Sequence, residues 1–262
     1  MALREGRTAA ALAALASHGR LHLSPAPIEA CAEAWWQARA RHPDAHSVML
    51  AYRRSEVAAL NHDARRRLEA AGLRGARAGD GPREFAVGDW VRCRVNDPRE
   101  GLRNGMRGHI SRADQATGVL TLDVDDGTRI DISPAYQAGG GVEYGWAITG
   151  HAAQGITVDR AFVVAPGDGR HAEWGYVALS RARDAVHLFI AQTPENDGVD
   201  DVARGLRWSA TRPLALTQVA ASREQTPQIA DDPPAPPHVG RQGPQPTRHH
   251  KATLTRGPEL GR

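Results

Sequence analysis

The chain has 262 residues, 41% hydrophobic and 24% charged, which suits one or two globular domains with a self-sufficient core. Cys31 and Cys93 are too few for a disulfide framework, no apolar run nears the roughly 20 residues of a spanning helix, and no signal-peptide pattern opens the chain, so it reads as soluble and cytoplasmic. The formal charge is only +3, yet of 33 basic residues Lys251 alone is a lysine. GC-rich codon usage accounts for most of that bias, but a G-x-x-x-x-G-K-[ST] phosphate loop and Schiff-base chemistry are excluded regardless.

Residues 2–18 carry Leu3, Ala11, Leu12 and Leu15 at helical spacing before Gly19. Residues 20–24 alternate as a short strand. Ser24-Pro25 opens a second helix, with Ile28, Cys31, Trp35 and Trp36 toward one side, which stops before Pro43. Ser47 to Tyr52 is an apolar run fit for a buried parallel strand. Ser55 is placed to cap a helix in which Val57, Leu60, Ala64 and Leu68 recur before Gly72. This alternation predicts an α/β layer.

After a Gly- and Arg-rich loop at 73–84 the period changes to two. Short strands at 85–97, 106–112, 118–124 and 128–133, with turns at Ala116-Thr117-Gly118 and Asp125-Asp126-Gly127, predict a small curled barrel inserted into the α/β domain. Gly139-Gly140-Gly141 marks the return. Residues 142–165 read as strand, short helix and strand, and 173–192 as a helix and a last buried strand. No aromatic residue follows Trp208, and 223–262 hold eight of the 17 prolines, so the tail is expected to be disordered. The division is thus 1–84 and 136–204 for the two parts of the α/β domain, 85–135 for the insertion and 205–262 for the tail.

Two stretches carry chemistry. Ala147 to Thr157, AITGHAAQGIT, runs from a strand into a polar turn with a glycine. The plain reading is that Thr149 caps a turn, His151 and Gln154 are surface residues and Gly155 ends it. The functional reading is that α/β sheets hold ligands at such turns on their carboxyl edge. Tyr176 to Asp184, YVALSRARD, is either a helix end whose arginines favour the helix dipole, or the source of an arginine that neutralises charge on a transferring phosphoryl group.

In this order and spacing the two stretches resemble motifs V and VI of superfamily-1 helicases, in the RecD-like branch. SVMLAYRRSEVAALN (47–61) is similar to motif IV, and VGDWVRCRVNDPREGLRNGMRGHI (87–110) looks like the G-D-x-V…N-D…N-G-x-x-G barrel of that branch. The nearest likeness is to the helicase half of conjugative relaxase–helicases, over about 1–192. It implies a RecA-like second motor domain interrupted by an SH3-like barrel. Arg181, and from motif IV Arg54 with Arg53 next, would contact the γ-phosphate of ATP. Gln154, Gly155, Tyr176, Ser180 and Arg183 would stand on the nucleotide side. Thr149, His151 and Thr157, with Trp90, Asn96, Asn104 and Gly105 of the barrel, would follow the single-stranded DNA.

The family's phosphate-loop lysine, magnesium-binding acids and relaxase histidines are not matched and would belong to sequence before Met1. ATP and Mg2+ would therefore be shared with a first motor domain, in cis or in trans, and no ATPase activity is expected from this chain alone. The alternative is a non-catalytic single-strand-binding module or an inert helicase remnant. Arg65-Arg66-Arg67 reads better as a solvated face than as a phosphate contact, Trp35 as core, and Asp123, Asp125 and Asp126 as a hairpin turn. Cys31 and Cys93 lack metal-ligand spacing, so no metal site is expected. Arg241, Arg248, Arg256 and Arg262 fit either nonspecific nucleic-acid contact or a free tail.

Overall fold

Short apolar strands that follow amphipathic helices build one parallel sheet. The computed structural model describes residues 8–77, 85–167 and 171–207. The sheet order is β1 (Leu21–Ser24), β10 (Ala182–Ala191), β9 (Val158–Val164), β2 (Ser47–Ala51), β8 (Ala147–Thr149), every pair parallel. Both faces are covered, which is why β2 is apolar at consecutive positions. Met49 and Ala51 pack with Phe162, Phe189 and Trp35 beneath α2 (Pro27–Arg41) and α3 (Arg54–Ala70). Val48 and Leu50 pack with Val163, Trp174 and Leu206 beneath α1 (Thr8–Ser17), α5 (Ala172–Leu179) and α6 (Val199–Arg207).

Between α3 and β8 the chain builds a second, antiparallel sheet in the order β6 (Arg129–Ile132), β5 (Leu120–Val124), β4 (Arg107–Ala113), β3 (Trp90–Cys93), β7 (Val142–Tyr144). Val91, Cys93, Ile110, Leu120, Leu122 and Ile132 fill its own core. The short α4 (Pro134–Ala138) precedes β7, its Ser133 hydroxyl accepting the Tyr136 N–H at 3.1 Å. This sheet therefore runs past residue 135 to Tyr144. β7 pairs with β3, and Gly145 leads into the parallel sheet, its Cα so close to Trp90 that a Cβ would lie 2.4 Å from the indole Cδ1.

Three local expectations change. α3 starts at Arg54, with Arg53 at the N-cap and its N–H bound to Glu56 at 2.9 Å, so Ser55 lies inside the first turn and does not cap it. The short helix expected between β8 and β9 is a run of tight turns at 150–155. The disordered tail expected at 205–262 begins within α6 as far as Arg207, and the rest of it lies outside the described residues. Among the described residues no helix is long and apolar enough to cross a membrane.

Candidate nucleic-acid groove

The turn after β8 is held by its own backbone. Ala153 N–H donates to the Thr149 carbonyl at 3.0 Å, and the Thr149 hydroxyl oxygen accepts Ala152 N–H at 3.3 Å. Gly155 closes the turn at φ +84°, where a side chain would be strained. Gly150 is fixed by packing instead, because a Cβ there would sit 2.3 Å from Trp174 Nε1. β8 is an edge strand, so the outward N–H and carbonyl of Ala147 need partners. Asn61 supplies both: its amide donates to the Ala147 carbonyl and accepts the Ala147 N–H, each at 2.9 Å.

The antiparallel sheet faces this turn across a groove. One stretch, a cavity of about 660 Å³, is lined by Arg54 and Arg65 of α3, Arg92 of β3 and Arg94 just past its end, Glu143 and Thr149. The next, about 430 Å³, is lined by Gly105, Arg107, His151, Gln154 and Gly155, and the two share Arg92, Asn104 and Ala152. Five guanidinium groups against one carboxylate make the groove cationic. Glu143 accepts from Arg92 at 2.8 Å and faces Arg94 Nε at 3.4 Å, holding both arginines side by side. The Arg65 guanidinium lies 6.0 Å from the centre of the Tyr144 ring.

Thr149, His151, Gln154, Gly155, Asn104, Gly105 and Arg54 therefore meet in one groove. Asn96 and Asn104 are partly committed to the local turn: Asn96 Oδ1 accepts Asn104 N–H at 2.8 Å, and Asn104 Oδ1 accepts from Arg92 at 3.1 Å. Gly105, at φ +92°, is the turn itself, while Gly108 is demanded by β5, where a Cβ would fall 2.0 Å from the Asp123 carbonyl oxygen. Asp123 and Asp125 pair with Arg129 at 2.7 Å and Arg107 at 3.1 Å, and Gly127 takes φ +86° in the turn between β5 and β6. Among the described residues no three His, Cys, Asp or Glu side chains are grouped to hold a metal ion.

Arg181 stands elsewhere. Ala182 is level with Val158 at the amino end of β9, whereas Arg54 follows the carboxyl end of β2, whose Leu50 is level with Val163. The span of β9 between those levels is about 17 Å at ~3.3 Å per residue. The fold thus sets Arg54 and Arg181 at opposite edges of the sheet. Arg181 donates to the Val177 carbonyl at 2.8 Å, the Ile156 carbonyl at 3.3 Å and the Ser180 hydroxyl at 2.8 Å. Tyr176 is 40% exposed on α5, which ends just before Arg181. Arg183 pairs with Asp159 at 3.6 Å, and with Thr157 and Trp90 it lines a separate cavity at the amino edge. Arg53 contributes its backbone to the start of α3.

The sequence reading missed Arg92, Arg94, Glu143 and the structural part of Asn61. Arg92 and Arg94 were visible in principle, since alternate residues of the strand expected at 85–97 would share a face. The Asn61–Ala147 and Gly150–Trp174 contacts are long-range and leave no local pattern.

No family model matches the chain. It is 35% identical over 147 residues to conjugal transfer protein TraA of Rhizobium radiobacter, covering 54% of this chain and 13% of that protein. It is 33% identical over 153 residues to the probable conjugal transfer protein TraA of Sinorhizobium fredii, covering 56% and 14%. The chain is thus related in sequence to conjugal transfer proteins and spans about an eighth of the length of these relatives. Among solved structures, Pif1 helicase from Bacteroides in complex with ADP-AlF3 and ssDNA aligns with a TM-score of 0.47 at 18% identity, over 70% of this chain and 46% of that one. Pif1 helicase from Candida albicans aligns at 0.43 and 16%, over 69% and 50%.

Proposed function

We propose that this chain is the second, RecA-like half of a superfamily-1 DNA helicase motor with an SH3-like barrel inserted, serving conjugative DNA transfer by translocating 5′ to 3′ on single-stranded DNA. The groove between the Thr149–Gly155 turn and the arginines at the end of β3, Arg92 and Arg94, carries this reading. It is cationic and open, and it joins the two segments the sequence assigns to strand contact. Guanidinium groups bind phosphate oxygens in forked geometry and release counterions as they do so.

The nucleotide half of the reading rests on Arg181. At the amino edge it presents a permanent positive charge with donors that now rest on neutral carbonyl and hydroxyl oxygens. Those oxygens are weaker acceptors than a phosphate, so the residue fits a nucleotide brought by a partner domain. ATP, bound with Mg2+ chiefly by that first motor domain, would supply the hydrolysable phosphoanhydride. Arg181 would steady the charge on the γ-phosphate, and the 150–157 segment, which reaches from the groove to the Ile156 carbonyl, would couple the two edges. Arg54 belongs to the DNA groove in this reading rather than to the nucleotide.

The test is binding of fluorescein-labelled oligothymidylate by the full chain, followed by ATPase assay after adding the missing first motor domain in trans. Binding that weakens steeply with salt, and ATP turnover that appears only with both parts and DNA, are the expected results. Strand binding with no turnover from any added motor domain would favour a non-catalytic binding module. No strand binding at all would end the helicase reading.

A further inference from the structure

We infer that the cavity at the amino edge of the parallel sheet, between α2 and the β3–β4 hairpin, binds a nucleoside phosphate. It includes neither Arg181 nor the turn at 150–155, although Trp90, Thr157 and Arg183 in its lining are residues the resemblance placed along the strand or on the nucleotide side. It lies at the amino ends of β2 and β9 near the end of α2, takes Trp35 and Trp146 from one face of the sheet and Val48 and Val158 from the other, and meets the basic groove only at Arg107.

The cavity encloses about 460 Å³, within the range of small-ligand sites. Trp90 forms one wall, with the rings of His109 and His46 edge-on to it at 4.3 and 6.0 Å. Three arginines line it. Arg107 is matched by Asp125 at 3.1 Å and Arg183 by Asp159 at 3.6 Å, and Asp159 also accepts the His46 N–H at 2.9 Å. Asp44, at the mouth, is exposed. Arg39 is different: it is half-buried, burial alone lowers its pKa, and no carboxylate acts on it among the described residues. His109 is held below the usual imidazole range by burial first, then by Arg39 and His46, with Asp123 opposing.

Three arginines and three aspartates line the cavity, and once the two pairs are set aside the exposed Asp44 faces water while the half-buried Arg39 guanidinium carries a desolvation cost with no carboxylate against it. An anion beside Arg39 would offset that cost and let His109 take up a proton more readily. Phosphate has the acceptor geometry that a guanidinium fork matches. The indole and imidazole rings give a planar base a surface to lie against. A free nucleotide and the phosphorylated end of a strand leaving the groove at Arg107 share this chemistry.

The experiment is NMR titration of the histidine side chains of the full chain with AMP, with inorganic phosphate, and with oligothymidylate carrying or lacking a 5′-phosphate. AMP is expected to raise the pKa of His109. Arg39→Gln is expected to weaken AMP at least tenfold, and Arg39→Lys to restore part of the loss. Trp90→Leu is expected to weaken AMP more than inorganic phosphate. A preference for the 5′-phosphorylated oligonucleotide would identify a strand end as the source, and response to AMP alone a free nucleotide; either supports the site. No change in the His109 titration with any probe would overturn it, as would AMP affinity in a folded Arg39→Gln chain equal to that of the native one.

Discussion

Asp89 illustrates how a motif residue can be spent on architecture. Its carboxylate is fully buried, grips Arg74 at 2.7 and 2.8 Å through both oxygens and also accepts Ala86 N–H at 2.8 Å. Gly88 beside it takes φ +89°, with its Cα so near Leu73 that a Cβ would lie 2.7 Å from the carbonyl oxygen. The Gly-Asp pair thus ties the end of α3 to the antiparallel sheet and has no ligand to bind. Arg74 is itself 3% exposed, so Asp89→Ala leaves its buried charge to the more distant Glu69 at 3.8 Å. The expected cost is about 3–5 kcal/mol, read as a shift in the urea midpoint, with Asp89→Ala/Arg74→Met regaining part of it. A loss under ~1 kcal/mol would contradict the assignment. Asn61→Ala leaves the Ala147 N–H and carbonyl unpaired and should cost about 1–3 kcal/mol while loosening the turn that follows. Amide hydrogen exchange at Ala147 should rise in that variant.

At the scale of elements, the edge pair β1–β10 carries a pH dependence. His22 Nε2 and His187 Nδ1 are 3.1 Å apart, and both rings stack on phenylalanines of the core face, His22 on Phe189 and His187 on Phe162. One ring must donate and the other accept, so the bond is lost once both rings are protonated. Burial first, then His22, Arg20 and Arg160, pull His187 from the usual 6.5 down to about 4. Below pH 6.5 the unfolded chain takes a proton that the folded chain refuses, so stability is full above 6.5 and falls as pH drops toward 4. Urea midpoints should decline across that window, and His187→Gln should flatten the upper part of it, above the range where carboxylates titrate.

Elements of this kind were legible where the signal is local. Leu60, Ala64 and Leu68 share one stripe and are all buried under α3. The consecutive apolar residues of β2 announce a strand covered on both faces. What was not legible depends on pairing at a distance. Val142–Tyr144 has the composition of any short strand, and only its ladder with β3 assigns it to the antiparallel sheet. The helix expected after β8 gives way to turns because the segment is short and Gly150 must lie beneath Trp174. Motif order identified Arg54 and Arg181 together, yet it carries no information about which edge of the sheet each would occupy.

For the whole molecule, that separation has a kinetic consequence. The groove arginines lie beside the carboxyl-edge turn and Arg181 at the amino edge, so strand affinity and ATP turnover should be independently removable. Arg92→Gln with Arg94→Gln takes two cations from the groove and leaves Glu143 without its partners. The oligothymidylate affinity should fall, and the slope of log affinity against log salt should flatten by roughly 1.4, about 0.7 for each phosphate no longer neutralised. In the reconstituted two-part motor, turnover at saturating DNA should stay near the native rate. Arg181→Ala should do the reverse, lowering turnover by about 10³–10⁵ with the oligothymidylate affinity unchanged. Fluorescence anisotropy and steady-state ATPase, measured on both variants, read the two quantities separately. If each variant moved both by similar factors, the two edges would be one site, and the division of labour drawn from the parallel sheet would fail.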